Sequence, residues 1–298
     1  MRIIVAPMAG GPSTPALVRA AAEAGAFGFL ATGALSPAQA EAEMSACDDV
    51  RYGVNLFARQ EPLASLAEVR AVAGELGVEV PAVDYSNGWE EKFAAVLRHR
   101  PAVASSIFGP FSAGEIAQLH DRGIEAWITV TTPADARAAD ALGADALVVQ
   151  GPEAGGHRAT WTVDEEPDAR PLPELLDACR AVTGLPLIAA GGVRTPADVR
   201  ALRADAVACG SAFLLAEEAG TSPANRELLR RGGETVSTRA FSGRWARGLP
   251  NGHDLDAAIY PYLRPMMKQI GAPYCLVGTG VDKLRAGTAA EILAWLEN

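Results

Sequence analysis

The chain has 298 residues, 49% hydrophobic and 21% charged, with a net charge of −10. That is ample apolar material for one large core and argues against a disordered chain. The acidic balance, with no basic patch beyond the isolated pair Arg230 and Arg231, argues against a nucleic-acid partner and favours an enzyme acting on a small molecule.

The opening run Met1–Met8 is broken by Pro7 too early for a signal peptide, and no window approaches about 18 uninterrupted apolar residues, so no membrane association is expected. Cys47, Cys179, Cys209 and Cys275 are far apart and lack a close histidine. Neither a metal site nor a disulfide framework is expected, and reduced thiols in a cytoplasm are the simpler reading.

Short apolar runs alternate with alanine-rich amphipathic stretches along the chain, the pattern of parallel strands joined by crossover helices. Ile3 to Met8 reads as the first strand, followed by a helix from Thr14 to Gly25 capped by Ser13 or Thr14. Phe27 to Ala31 is the second strand, with a helix opening near Ser36-Pro37, and Tyr52 to Phe57 is the third. A long helix is expected from about Pro62 to Leu76, an irregular stretch from Val78 to Asn87, and a helix from Trp89 to Arg98. Ala102 to Phe108 and Glu125 to Val130 are the fourth and fifth strands, with helices Ala113 to Arg122 and Pro133 to Leu142. Ala146 to Gln150 is the sixth strand, and a glycine- and acid-rich loop runs from Gly151 to Arg170 before a helix from Leu172 to Val182. Leu187 to Ala190, a helix from Pro196 to Arg203, and Ala206 to Cys209 complete the set.

Eight strands with seven crossovers make a (β/α)8 TIM barrel, a fold of about 250 residues. Residues 1–298 read as one domain, the barrel at about 1–220 and a helical closure at about 221–298, with C-terminal helices at Pro223–Arg231, Asp254–Ile270 and Thr288–Leu296.

In such barrels the chemistry lies at the C-terminal ends of the strands. The seventh strand ends in Gly191-Gly192 and the eighth in Gly210-Ser211. Glycines there let backbone amides approach a phosphate, and Ser211 adds a hydroxyl. Taken singly such turns could be tight connections and no more; two at consecutive final strands favour a phosphate site. His157 follows the pair Gly155-Gly156 beyond the sixth strand, where an imidazole can serve as general base or, more plainly, cap a loop. Asn55, in the third strand, offers a donor and an acceptor to a heterocycle edge. His99, His120 and His253 read as surface or packing residues.

Together these strand ends resemble the nitronate monooxygenases, flavin-dependent barrels that hold FMN. The resemblance runs from Ile4 to about Gly252. It rests on Ala6-Pro7-Met8-Ala9-Gly10-Gly11, Gly53-Val54-Asn55-Leu56-Phe57, Gln150-Gly151 with Glu153-Ala154-Gly155-Gly156-His157-Arg158, Ala189-Ala190-Gly191-Gly192, Gly210-Ser211 with Phe213, and Arg239-Ala240-Phe241-Ser242-Gly243-Arg244 followed by Ala246-Arg247-Gly248. The run ending in Gly-Gly-His-Arg is the most specific.

The resemblance implies that Ala6, Pro7 and Met8 line the flavin ring. Asn55 and Gln150 would bond its polar edge or ribityl chain, Gly155 and Gly156 would pack against it, and Thr129 is a weaker candidate contact. Gly191, Gly192, Gly210 and Ser211 would hold the phosphate. His157 would take the α-proton of a nitroalkane, with O2 the second substrate and a carbonyl compound and nitrite the products. Two departures stand out: Ser106-Ile107-Phe108-Gly109 replaces the family's Phe-His-Phe-Gly, and Val277-Gly278-Thr279-Gly280 replaces its Trp-Ala-Gly-Gln.

Three rivals remain at this level. A flavin-dependent enoyl-acyl-carrier-protein reductase, or another NAD(P)H-dependent FMN reductase, would share the fold. A flavin-free lyase or aldolase would need a strand-end lysine or paired carboxylates, and none of Lys92, Lys268 and Lys283 falls at a predicted strand end. A non-enzymatic flavin-binding protein is the third. Oligomeric state is not legible.

Overall fold

A computed structural model describes residues 2–298, leaving Met1 of the opening run outside the described residues. Among them, eight parallel strands close a barrel in the order β1 (Arg2–Val5), β2 (Phe27–Ala31), β3 (Gly53–Phe57), β4 (Val103–Ile107), β5 (Glu125–Val130), β6 (Ala146–Gln150), β8 (Leu187–Ala190) and β9 (Ala206–Cys209). β9 pairs back with β1, Val5 opposite Cys209, so no edge is left in this sheet.

The helices between the strands start where the sequence supplies caps. The tetrapeptide Thr-Pro-Ala-Asp occurs at 132–135 and again at 195–198, and each time opens a helix. Each threonine accepts the amide of the aspartate three residues on, and each aspartate accepts the threonine's amide in return. The strand faces toward the helices bury one large apolar layer, from Ile3 and Val5 through Val54, Ile128 and Val149 to Val207.

The alternate positions point inward. Ile4, Phe27, Phe29, Val103, Ile188 and Ala208 fill the lower barrel, with Trp127 packed on Phe29 at a 5.6 Å ring separation. Gly53 is a glycine for lack of room: a β-carbon there would lie 2.4 Å from the Phe29 ring.

Four departures from the sequence expectations concern the barrel and its helices. The first strand stops at Val5, because the Met8 amide turns to Ser13 Oγ, which it meets at 2.9 Å. The helix expected from Pro62 begins at Ala67, the preceding turn being held by Tyr85. The helix expected over 254–270 is only Leu263–Gln269. Leu255, Ala257 and Ile259 bury every second side chain against the helix Ala67–Leu76, an extended period rather than a helical one.

The fourth difference concerns where the barrel ends. The helix Ala289–Glu297 packs between the helices Pro15–Glu23 and Pro196–Ala201 and against β1, which is the place of the eighth barrel helix. The barrel therefore does not stop near 220. Residues 210–288 form an excursion between its last strand and last helix. That excursion carries β10 (Val236–Thr238) and β11 (Ala246–Gly248), which join β7 (Gly156–His157) in a small antiparallel sheet. Among the described residues no helix is long and apolar enough to cross a membrane.

Replacing Gly53 with alanine forces a methyl group onto the Phe29 ring. The variant is expected to lose about 1–3 kcal/mol of stability, read as a lower urea midpoint at unchanged slope.

Candidate active site

The inward positions nearest the C-terminal strand ends surround one cavity of about 340 Å³. Its floor is Ile4, Phe29, Trp127, Val148, Ile188 and Ala208. All thirteen residues singled out from the sequence line it: Ala6, Pro7, Met8, Asn55, Thr129, Gln150, Gly155, Gly156, His157, Gly191, Gly192, Gly210 and Ser211. No aspartate, glutamate or lysine does, whereas Arg194 and Arg264 both do.

One end of the cavity is a glycine cradle. Gly191 and Gly192 take φ of +130° and +70°, a backbone open to glycine, and a β-carbon on Gly191 would press within 3.0 Å of the Ala154 amide. Ser211 Oγ accepts the Gly278 amide at 3.0 Å, which leaves its own O–H to donate. The segment Val277–Gly280, where the sequence departs from the family pattern, straps this end. Thr279 donates its amide to Glu153 O, and a β-carbon at Gly278 would collide with Glu153 O, Arg194 Nη2 and Gly155 N. The strap replaces bulk with close backbone approach.

His157 lines the same cavity. The sequence placed it in a loop, but it lies on β7, with Ala246 of β11 opposite. Its Nε2 meets Ser242 Oγ at 2.7 Å, and its ring stands edge-on to Phe108 at 5.5 Å. Phe108 holds φ +71°, a left-handed conformation unusual for a bulky residue, and the Arg244 guanidinium lies 4.5 Å from its ring centroid. Arg244 is 1% exposed and bonds only neutral oxygens, of Thr160, Thr162 and Gln60. Burial first, and the Arg244 charge second, push the His157 pKa down to about 3. The imidazole is therefore neutral across the physiological range.

The polar wall is uneven. Asn55 lines the cavity and donates Nδ2 to Ser105 Oγ at 2.9 Å, with its Oδ1 unpartnered among the described residues. Thr129 lends its carbonyl to Trp161 Nε1 and keeps its hydroxyl for the cavity. Gln150 uses most of its amide within the chain. Its Nε2 donates to His157 O at 2.8 Å and its Oε1 accepts the Ala159 amide at 2.9 Å. It fixes the chain on either side of the imidazole, and one Nε2 hydrogen remains for a ligand. Ile107, where the family carries a second histidine, adds an apolar patch.

Sequence reasoning passed over Arg194, Arg264, Tyr274 and the role of Ser242. An arginine two residues beyond a glycine pair at a strand end was a usable signal for Arg194. Nothing local marks Arg264, stacked 3.7 Å over the Tyr274 ring, because the excursion brings it in from the far end of the chain.

A family profile described as Nitronate monooxygenase matches residues 1–290. A nitronate monooxygenase of Pseudomonas aeruginosa is 36% identical over 276 residues, spanning 86% of this chain and 78% of that protein. The structure of nitroalkane oxidase from Streptomyces ansochromogenes superposes with a TM-score of 0.89 at 31% identity, covering 99% of this chain and 94% of that one. FabK from Thermotoga maritima, at 21% identity and a TM-score of 0.73, covers 99% and 90%, and shares the fold.

The depressed imidazole has a thermodynamic consequence. Between about pH 3 and the ordinary histidine value near 6.5, the unfolded chain takes up a proton that folded His157 refuses. Stability therefore rises as pH rises through that window. Across it, the His157→Asn variant is expected to gain less urea resistance than the wild type. In a proton NMR titration the His157 ring signal should stay at its neutral position down to about pH 4. A midpoint near 6.5 would contradict the reading.

Proposed function

This chain belongs to the nitronate monooxygenase family, and on that premise we propose that it uses FMN and O2 to oxidise alkyl nitronates, and nitroalkanes by way of their nitronates, to a carbonyl compound and nitrite. The observation that carries the proposal is that one carboxylate-free cavity is lined both by a neutral imidazole and by a glycine cradle.

The residues present fit the cofactor. The cradle of Gly191, Gly192, Gly210 and Ser211 suits a phosphate, the more so because Arg194 beside it is buried with Nε and Nη2 unpartnered. Ala6, Pro7 and Met8 would lie against the flavin ring, Gly155 and Gly156 allow its close approach, and Asn55, Thr129 and Gln150 would meet its polar atoms. The flavin supplies the electron transfer between nitronate and oxygen.

The protein's own part is proton transfer and charge placement. Ser242 engages His157 Nε2, so the ring is fixed and Nδ1, which carries no hydrogen bond among the described residues, is the atom that accepts the α-proton. Uptake of that proton by an imidazole held near 3 is uphill on its own. A nitronate forming beside the ring reverses the balance, since its negative charge faces both the imidazolium and the unpaired charge of Arg244 over Phe108. Proton uptake and anion formation thus assist one another. Phe57, Ile107 and Phe108 keep the reacting end apolar, which strengthens these interactions.

The purified protein is expected to be yellow and to release FMN on denaturation. Under anaerobic conditions a nitronate alone should bleach it. Bleaching by a reduced nicotinamide, with none by a nitronate, would favour the reductase reading instead. Replacing His157 with asparagine should lower turnover of neutral nitroalkanes by roughly 10²–10⁴-fold and that of preformed nitronates far less. Equal loss on both would remove the base role.

A further inference from the structure

Arg194 is one of the most buried charges in the molecule, at 5% exposure, and it lines the cavity at the cradle end. Its backbone amide joins the cap of the following helix by donating to Asp198 Oδ2 at 2.9 Å. That carboxylate also takes the Thr195 amide, and it does not reach the guanidinium. Nη1 donates to the neighbouring Val193 carbonyl at 2.6 Å, while Nε and Nη2 have no partner among the described residues. Nη2 lies against Gly278, whose amide is bonded to Ser211 Oγ, so the guanidinium and the Ser211 hydroxyl share one wall.

A buried arginine whose Nε and Nη2 are unused, with no ion pair among the described residues and only the more distant charge of Asp198 acting on it, carries a desolvation penalty that a bound anion would relieve. Burial already lowers its pKa, in the direction that such a penalty requires. Neither hydrogen bonding nor packing within the chain removes the penalty. Glu153, packed against Gly192, accepts the Leu172 amide on Oε1 at 3.4 Å and makes no ion pair with Arg194 among the described residues.

We propose that Arg194 is the counter-charge of the cofactor's terminal phosphate and makes this site select a phosphorylated flavin over riboflavin. The proposal rests on the FMN reading above. The dianion would sit on the amides of Gly191, Gly192 and Gly210, receive the Ser211 hydroxyl, and neutralise the guanidinium behind the Gly278 strap. A charge-assisted contact of this kind is worth roughly a 10- to 100-fold change in affinity.

The test is flavin binding to the flavin-stripped full-length protein, followed by fluorescence quenching with FMN and with riboflavin. Wild type should prefer FMN. Arg194→Gln should weaken FMN binding roughly 10- to 100-fold and leave riboflavin binding within about threefold, and Arg194→Lys should restore part of the preference. Flavin-free Arg194→Gln should melt no lower than flavin-free wild type, because the substitution removes an unpaired buried charge. A purely structural arginine would give the opposite result, a lower melting temperature and equal loss of both flavins, and that would overturn the proposal. So would an unchanged FMN-to-riboflavin ratio in Arg194→Gln. Failure of wild type to bind either flavin would instead remove the FMN reading, and this proposal with it.

Discussion

The site depends on a two-residue strand. Gly156 and His157 pair with Arg247 and Ala246, and through them with β10, so the imidazole is held by a sheet that lies outside the barrel. Gly156 at φ +84° lets the chain turn into this pairing directly from the cavity wall. Gln150 bonds the chain on both sides of it, and the Arg158 amide donates to Trp245 O at 2.8 Å. A base on a loop would wander. Here its position is fixed by backbone pairing between segments some 90 residues apart in sequence. The same pairing brings Ser242 and Arg244 to the ring.

Electrostatics give the cavity its character. The chain carries a net charge of −10, yet among the described residues its cavity has no carboxylate in its lining and holds Arg194 and Arg264. Arg244 stands one layer behind, paired with neutral oxygens only. Buried cations without carboxylates are costly, and they persist where a bound anion compensates them. Arg194 lines the cavity and Arg244 lies over Phe108, so each of the two anions in the proposed reaction, a phosphate at the cradle and a nitronate at the imidazole, would have a buried guanidinium near it. The depressed pKa of His157 follows from the same arrangement.

Much of the barrel was legible in the sequence because its strands are short apolar runs bounded by turn residues. The strands Phe27–Ala31, Glu125–Val130, Ala146–Gln150, Leu187–Ala190 and Ala206–Cys209 have the limits read from the sequence. The strand-end glycines could be placed at the cavity from the sequence because they follow the seventh and eighth strands directly. What was not legible depends on long-range assembly. The three short strands of the outer sheet hold two or three residues each, too few for any period to show. The eighth barrel helix follows the last strand only after a long excursion, so chain order suggested an appendage. Nothing in a strand-end glutamine tells that residues 157 and 159 will fold back onto Gln150.

The most direct measurement is a crystal structure of the protein grown with FMN. The phosphoryl oxygens are predicted to lie about 3 Å from the amides of Gly192 and Gly210, with the flavin ring across the cavity from the His157 imidazole. A phosphate bound away from those turns, or a ring placed where it cannot face His157, would contradict the assignment of this cavity as the seat of the chemistry.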